Sequence, residues 1–137
     1  MANRHIGFTG TRQGMTRKQA DECKELLLKI RRESDNYGTF FHHGDCTGAD
    51  AEAHYIALEL DYSIIIHPPT NQKMVANCKG NKRMEPKPYL ERNHDIVDAS
   101  TILIATPETE EEVLRSGTWA TVRYARRQNK EVRILNP

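Results

Sequence analysis

Two kinds of apolar run alternate along this chain. Short, nearly unbroken apolar or β-branched stretches occur at residues 6–9, 39–43, 62–67, 101–105 and 132–135. Between them apolar residues recur at helical spacing. Ala20, Cys23, Leu26, Leu27 and Ile30 share one helix face, as do Ala49, Ala53, Ile56, Ala57 and Leu60. Tyr89, Leu90, Ile96, Val97 and Ala99 suggest a third helix, and a fourth opens at Ser116 and runs to about residue 128. The boundaries carry stop and start chemistry: Thr16 and Ser116 are N-cap types, residues 34–38 are turn formers, Pro68-Pro69 ends the third strand, and Asn129 suits a helix stop. Short strands alternating with helices predict an α/β fold. Parallel strands need crossover connections, so the sheet should be parallel, of about five strands, with helices on both faces. The run at 62–67 is typical of a strand covered on both sides. Residues 70–88 break the rhythm. They are polar, hold five basic residues (Lys73, Lys79, Lys82, Arg83, Lys87), and are long for a connection, which suggests a binding loop or a lid.

Composition narrows this picture. A length of 137 residues suits one domain with one core, spanning 1–137. A net charge of +1 gives no electrostatic demand for nucleic acid or membrane. No apolar run approaches the ~20 residues that cross a bilayer. The start of the chain leads directly into a strand without a signal-peptide core, and three cysteines without a C-x-x-C pair favour reduced thiols. A cytoplasmic location is therefore expected.

Three glycine- and hydroxyl-rich turns follow strands and lead towards helices. In an open parallel sheet such turns gather outside the carboxyl ends of the strands, where ligands bind. A helix start offers unpaired N–H groups and a positive dipole end to a phosphate or carboxylate. The first turn offers Gly10, Thr11 and Arg12; a guanidinium can hold a phosphate through two bonds, or the arginine can be simply solvated. The second runs from Gly44 through Asp45, Cys46, Thr47 and Gly48 to Asp50. Asp45 suits ribose hydroxyls; Asp50 suits the same role or capping of its own helix. The third is Ser116, Gly117, Thr118 and Trp119, where the indole either stacks on a ring or joins the core. Arg92 and Asn93, just before the fourth strand, either face the ligand or, for Arg92, pair with Asp95 on the surface. His67 either lines the pocket or is structural. His42 and His43 are adjacent on a strand and point to opposite faces, so no metal site is expected. The acidic run of Glu108, Glu110, Glu111 and Glu112 reads as a solvated face.

The ordered set 7–12, 44–50, Arg92-Asn93, a strand, and 116–119 resembles the SLOG superfamily of Rossmann-like nucleotide binders, which includes the LOG-type phosphoribohydrolases and the Smf/DprA DNA-uptake proteins. The resemblance covers nearly the whole chain. It implies a three-layer Rossmann-like fold, a nucleotide or phosphoribosyl ligand and a homo-oligomer, a dimer or larger. The LOG hydrolases carry P-G-G-x-G-T-x-x-E and an upstream arginine. Arg92 matches that arginine, and Gly117 and Thr118 match the G-T pair. Arg115-Ser116 replace the double glycine, and the glutamate position holds Thr121, which cannot serve as a carboxylate acid or base. The expected function is therefore binding of a nucleotide or a nucleotide-derived ligand (ADP-ribose-like or cyclic) by a sensor or sequestering protein, with no separate cofactor. The alternative is an N-glycosidic hydrolase or transferase on nucleoside phosphates, with Arg92 and Asp45 as the catalytic residues. Single-stranded nucleic-acid binding ranks last.

Overall fold

In the computed structural model, which describes residues 3–34 and 38–137, six parallel strands form one sheet in the order β4-β3-β2-β1-β5-β6. In chain order the elements are β1 (Arg4–Gly10), α1 (Arg17–Ser34), β2 (Thr39–His43), α2 (Ala49–Glu59), β3 (Ser63–Ile66), β4 (Lys82–Arg83), α3 (Tyr89–Asp98), β5 (Ile102–Thr106), α4 (Gly117–Arg127) and β6 (Glu131–Ile134). The turn expected around 34–38 falls mostly outside the described residues.

Side-chain alternation along the strands sorts the core into two layers. Ile6 and Phe8 of β1, Phe41 of β2, Ile64 and Ile66 of β3, and Ile102 and Ile104 of β5 pack with Cys23, Leu27 and Ile30 of α1 and with Ala49, Ala53 and Ala57 of α2. Leu103 and Ala105 point the other way, against Val97 of α3 and Trp119, Val122 and Ala125 of α4. The alanines of α2 let that helix lie close to the sheet, as their spacing suggested. The result is the expected three-layer α/β arrangement with helices on both faces.

The sheet has six strands rather than about five, because the polar stretch 70–88 contributes one. Lys82 and Arg83 pair with Ile65 and Ile66 as a two-residue edge strand. Its shortness and charge hid it from the apolar pattern, and the same features protect a sheet edge from pairing with another chain. The stretch is strapped down along its length. Thr47 N–H donates to Met74 O, Ala76 N–H to Asp45 O, Asn81 N–H to Ile64 O and Met84 N–H to Ile66 O. It therefore lies along the β2–β3 side of the sheet and is not a lid over the strand ends at β1 and β5.

The chain winds outwards from β1 through β2 and β3, then returns to place β5 on the other side of β1. Beyond Gly10 and Thr106, which pair at the carboxyl ends of β1 and β5, the connections leave in opposite directions. That divergence opens a crevice at the switch point of the sheet.

Candidate functional site

A cavity of about 480 Å³ fills this crevice. Its walls come from the three turns read in the sequence, and from α3. Gly10, Thr11 and Arg12 form one side; Gly44, Cys46 and Asp50 lie at the end of β2 and start of α2; Ser116, Gly117 and Thr118 form the start of α4; Arg92 and Asn93 project from α3. The volume is in the range of roughly 300–1,000 Å³ usual for small-molecule sites.

The three helix starts are not equivalent. At α1, Thr16 Oγ1 accepts from Gln19 N–H at 3.0 Å and Gln19 Oε1 accepts from Thr16 N–H at 2.9 Å, a reciprocal cap that satisfies both ends. At α2, Ala49 N–H donates to Thr11 O at 3.0 Å. Gly48 sits at φ +87°, and a Cβ there would run into the carbonyl of Arg12, so the turn and the helix start are pressed together. The amides of Gly44 and Cys46 both donate to Asp50 Oδ2, at 3.1 and 3.2 Å. The first-turn amides of Asp50 and Ala51 at α2, and of Arg17 and Lys18 at α1, have no acceptor among the described residues. At α4 only the Trp119 amide is capped, by Ser116 Oγ at 3.2 Å. The amides of Gly117 and Thr118 have no acceptor among the described residues. A Cβ on Gly117 would meet nothing within 4 Å, so this helix start opens onto the cavity.

Positive charge surrounds that opening. Arg12 is exposed, its guanidinium lies 4.8 Å from the Tyr89 ring centre, and it makes no ion pair among the described residues. Arg115 is likewise without an ion pair there. Arg92 is 4% exposed. Its Nη1 donates to Gly44 O at 2.6 Å and His67 O at 3.0 Å, its Nε to Asn93 Oδ1 at 2.7 Å, and its Nη2 to Cys46 Sγ at 3.6 Å. Carbonyls thus hold this buried cation in place without neutralising it. Asn93 orients the guanidinium, and the surface pairing of Arg92 with Asp95 is not what forms: Lys87 takes Asp95 instead, at 2.6 Å.

Several sequence-expected residues are not brought into the cavity. Asp45 is fully buried on the far side of its turn, at φ +58°. Its carboxylate accepts from Cys78 N–H at 2.8 Å and from Arg83 Nη2 at 3.3 Å, so it fastens the 70–88 stretch. Thr47 donates its amide to Met74 O and points towards that same stretch. Gly48 shapes the Arg12 turn from behind. Trp119 packs in the α3–α4 core layer, its indole N–H buried without an acceptor among the described residues. Thr121, at the glutamate position, is buried and donates back to Gly117 O at 2.9 Å. His67 is buried and does not line the cavity; it meets the cavity wall only through its carbonyl on Arg92.

Tyr89 and Ile96 line the cavity without having been expected there. The signal existed: Tyr89, Arg92, Asn93 and Ile96 fall at i, i+3, i+4 and i+7 of one helix, a single stripe. Cys46, Glu108 and Arg115 also line it, carried there by the turns that hold them.

The histidines divide between the two faces of β2, as adjacency required. His5, His42 and His67 form a chain with ring nitrogens 2.8 and 2.9 Å apart; His43 and His54 meet on the other face at 3.0 Å. Burial holds His42 and His43 down to about 3 and His67 to about 4, with neighbouring histidines adding to it for the first two. Cys78 brings its sulfur beside the second pair, so three metal-type donors lie within 4.8 Å of one another. The hydrogen bonding there assigns the protons. Asp45 N–H donates to His43 Nδ1 at 3.0 Å, so the proton of neutral His43 is on Nε2 and is donated to His54 Nδ1. A metal there would require His43 to ionise fully, and burial together with the Asp45 carboxylate pushes the Cys78 thiol up to about 12.

No family model and no curated protein matches this sequence. Solved structures do. The molybdenum cofactor binding protein from the phototrophic bacterium Rippkaea orientalis superposes on 100% of this chain and 78% of its own, at 22% identity and a TM-score of 0.75. The Moco carrier protein from Chlamydomonas reinhardtii matches 98% of this chain and 78% of its own, at 20% identity and a TM-score of 0.70. DNA processing protein A from Streptococcus pneumoniae matches 96% of this chain, which spans 50% of that longer protein, at 17% identity and a TM-score of 0.68. With the strand order and these likenesses together, the chain has the Rossmann-like fold of these proteins.

Proposed function

We propose that this protein binds a phosphorylated, nucleotide-like small molecule, holding it as a sensor, store or carrier rather than transforming it. The observation that carries this reading is the open start of α4. The Gly117 and Thr118 amides face a cavity rimmed by Arg12 and Arg115 and floored by Arg92, so an anion there gains a dipole end, free donors and three cations together. The binding and carrying roles named for two of the structural neighbours fit the same reading. Thr121, which offers no carboxylate and is spent on a backbone carbonyl, favours binding over glycosidic cleavage.

Calorimetry against inorganic phosphate and a panel of nucleoside phosphates tests it. Binding of at least one phosphorylated compound, weakened about tenfold by Arg12→Ala, is the expected result. Because Arg12 is exposed and unpaired, that variant should fold normally. Failure of every phosphorylated compound to bind sinks the reading. A hydrolase reading has one observation in its favour, the carboxylates of Asp50 and Glu108 in the cavity wall. Release of free base from a bound nucleotide would establish it in place of pure binding.

A further inference from the structure

The inner end of the cavity, where the β2–α2 turn meets Arg92 of α3, holds two side chains with unused hydrogen-bonding capacity. Asp50 is 6% exposed and lines the cavity. Both of its hydrogen bonds, from the Gly44 and Cys46 amides, arrive at Oδ2. Oδ1 accepts nothing among the described residues. It is not among the fully enclosed polar atoms that lack a partner, so it keeps access to the cavity. Beside it, Arg92 commits Nη1 and Nε to backbone and Asn93, while Nη2 spends one N–H on the weak acceptor Cys46 Sγ. Its second Nη2 hydrogen has no partner among the described residues.

A free anionic acceptor and a free cationic donor on one wall call for a group that donates and accepts through the same small atom. A hydroxyl does this. A phosphate would be repelled by Asp50, and an ammonium by Arg92. We propose that the inner end of the cavity is a hydroxyl-reading subsite, in which a sugar hydroxyl of a phosphorylated ligand donates to Asp50 Oδ1 and accepts from Arg92 Nη2. This rests on the phosphate-binding reading of the α4 end and adds to it the chemical class of the ligand: a sugar phosphate unit, with or without a base.

The arrangement also links hydroxyl recognition to pH. Burial raises the Asp50 carboxyl to about 6 against the opposing pull of Arg92, with Asp45 pushing the same way as burial. The other ionisable groups around the cavity are Cys46 in the turn, Arg12 across the β1–α1 loop, Tyr89 on α3, and Glu108 and Arg115 on the β5–α4 side. Ionised Asp50 is the stronger acceptor, so preference for a hydroxyl-bearing ligand grows as pH rises through about 6 and fades below it.

The test compares inorganic phosphate, ribose 5-phosphate and the 2-deoxy and 3-deoxy forms of ribose 5-phosphate by calorimetry. Ribose 5-phosphate should bind about tenfold tighter than at least one deoxy form. That ratio should shrink from pH 7 to pH 5; taking a ratio cancels titration of the shared phosphate. Asp50→Asn keeps an oxygen for the two turn amides, so it should abolish the ratio. The wild-type ratio stands even if that variant fails to fold. Equal binding of ribose 5-phosphate and both deoxy forms, with phosphate still bound, overturns the subsite and spares the phosphate reading. So does a ratio that survives Asp50→Asn in a folded variant. Absence of binding by ribose 5-phosphate overturns the subsite, and absence of binding by every phosphorylated compound overturns the two readings together.

Discussion

The junctions that open α2 and α4 are near twins in sequence and opposites in the folded protein. Both follow a parallel strand, both mix glycine with hydroxyl residues, and both begin a helix whose first amides need acceptors. At α2 the protein itself answers part of that need, leaving the Asp50 and Ala51 amides without an acceptor among the described residues. The Thr11 carbonyl takes the Ala49 amide, and Asp50 folds back onto the amides of Gly44 and Cys46. At α4 the need is left open over a cavity. The difference teaches that a helix start becomes an anion site by what fails to fill it. The α2 junction builds a wall of the cavity, and the α4 junction presents its first amides to it.

Acid should break the first junction before the second, and with the largest effect. His43 Nδ1 accepts the Asp45 amide in the middle of the α2 turn, and His42 and His67 lie on the other face of β2. Their folded values, about 3, 3 and 4, lie below the unfolded value near 6.5. The unfolded chain therefore binds more protons below pH 6.5, and stability falls as pH drops from there towards 4. Each histidine contributes at most about 1.4 kcal/mol per pH unit. Asp50 opposes with one such slope between about 6 and its unfolded value near 3.8, because its folded pKa is raised. The net sign remains acid-destabilising. Denaturant titrations at pH 7.5, 5.5 and 4.5 should show it, and hydrogen exchange should find the Gly44–Cys46 amides loosening before the hydrogen-bonded amides of α4 from Ala120 onwards. Stability independent of pH over that range would contradict the histidine assignment.

Gly48→Ala attacks the same junction directly. The left-handed backbone and the Arg12 carbonyl leave no room for a methyl group, so about 2–4 kcal/mol should be lost in chemical denaturation. A loss below about 0.5 kcal/mol would mean the turn can retreat from α2 freely. At the α4 junction, Ser116→Ala removes a cap that serves one amide. Its cost should be about 1 kcal/mol, measured the same way. Gly117→Ala is the sharpest contrast with Gly48→Ala. It meets no neighbour, so stability should stay within about 0.5 kcal/mol, while phosphate affinity falls about tenfold because the methyl group stands where the anion would sit. Unchanged phosphate affinity in that variant would move the anion site away from α4.

Much of the fold was legible because it rests on short-range periodicity. The strands of β2 and β5 and the stripes of α1 and α2 are written in consecutive residues, and each appears within a residue or two of its expected place. β4 was not legible, since two charged edge residues carry no apolar signal and owe their strand state to Ile65 and Ile66. In the site, Gly10, Arg12, Arg92, Asn93 and Gly117 were readable as turn and helix chemistry and do meet in one cavity. The two aspartates of the second turn exchanged the places expected of them. Asp45, favoured for ribose, is drawn under the 70–88 stretch by Cys78 and Arg83, whereas Asp50, equally suited to capping, reaches the cavity wall. The Asp45 outcome depends on partners more than 30 residues away along the chain, whereas Asp50 is held by two amides of its own turn.

The sequence by itself determined the alternation of strand and helix, the parallel sheet, and the gathering of three polar turns at its carboxyl edge. Those follow from backbone geometry and from the burial of regularly spaced apolar residues, which act locally. Tertiary packing set which helix start opens onto the cavity and which turn amides are taken by the chain itself. A backbone amide or a carboxylate oxygen is the same group in either case, and its availability to a ligand is fixed by whether a distant part of the chain has already taken its hydrogen bond.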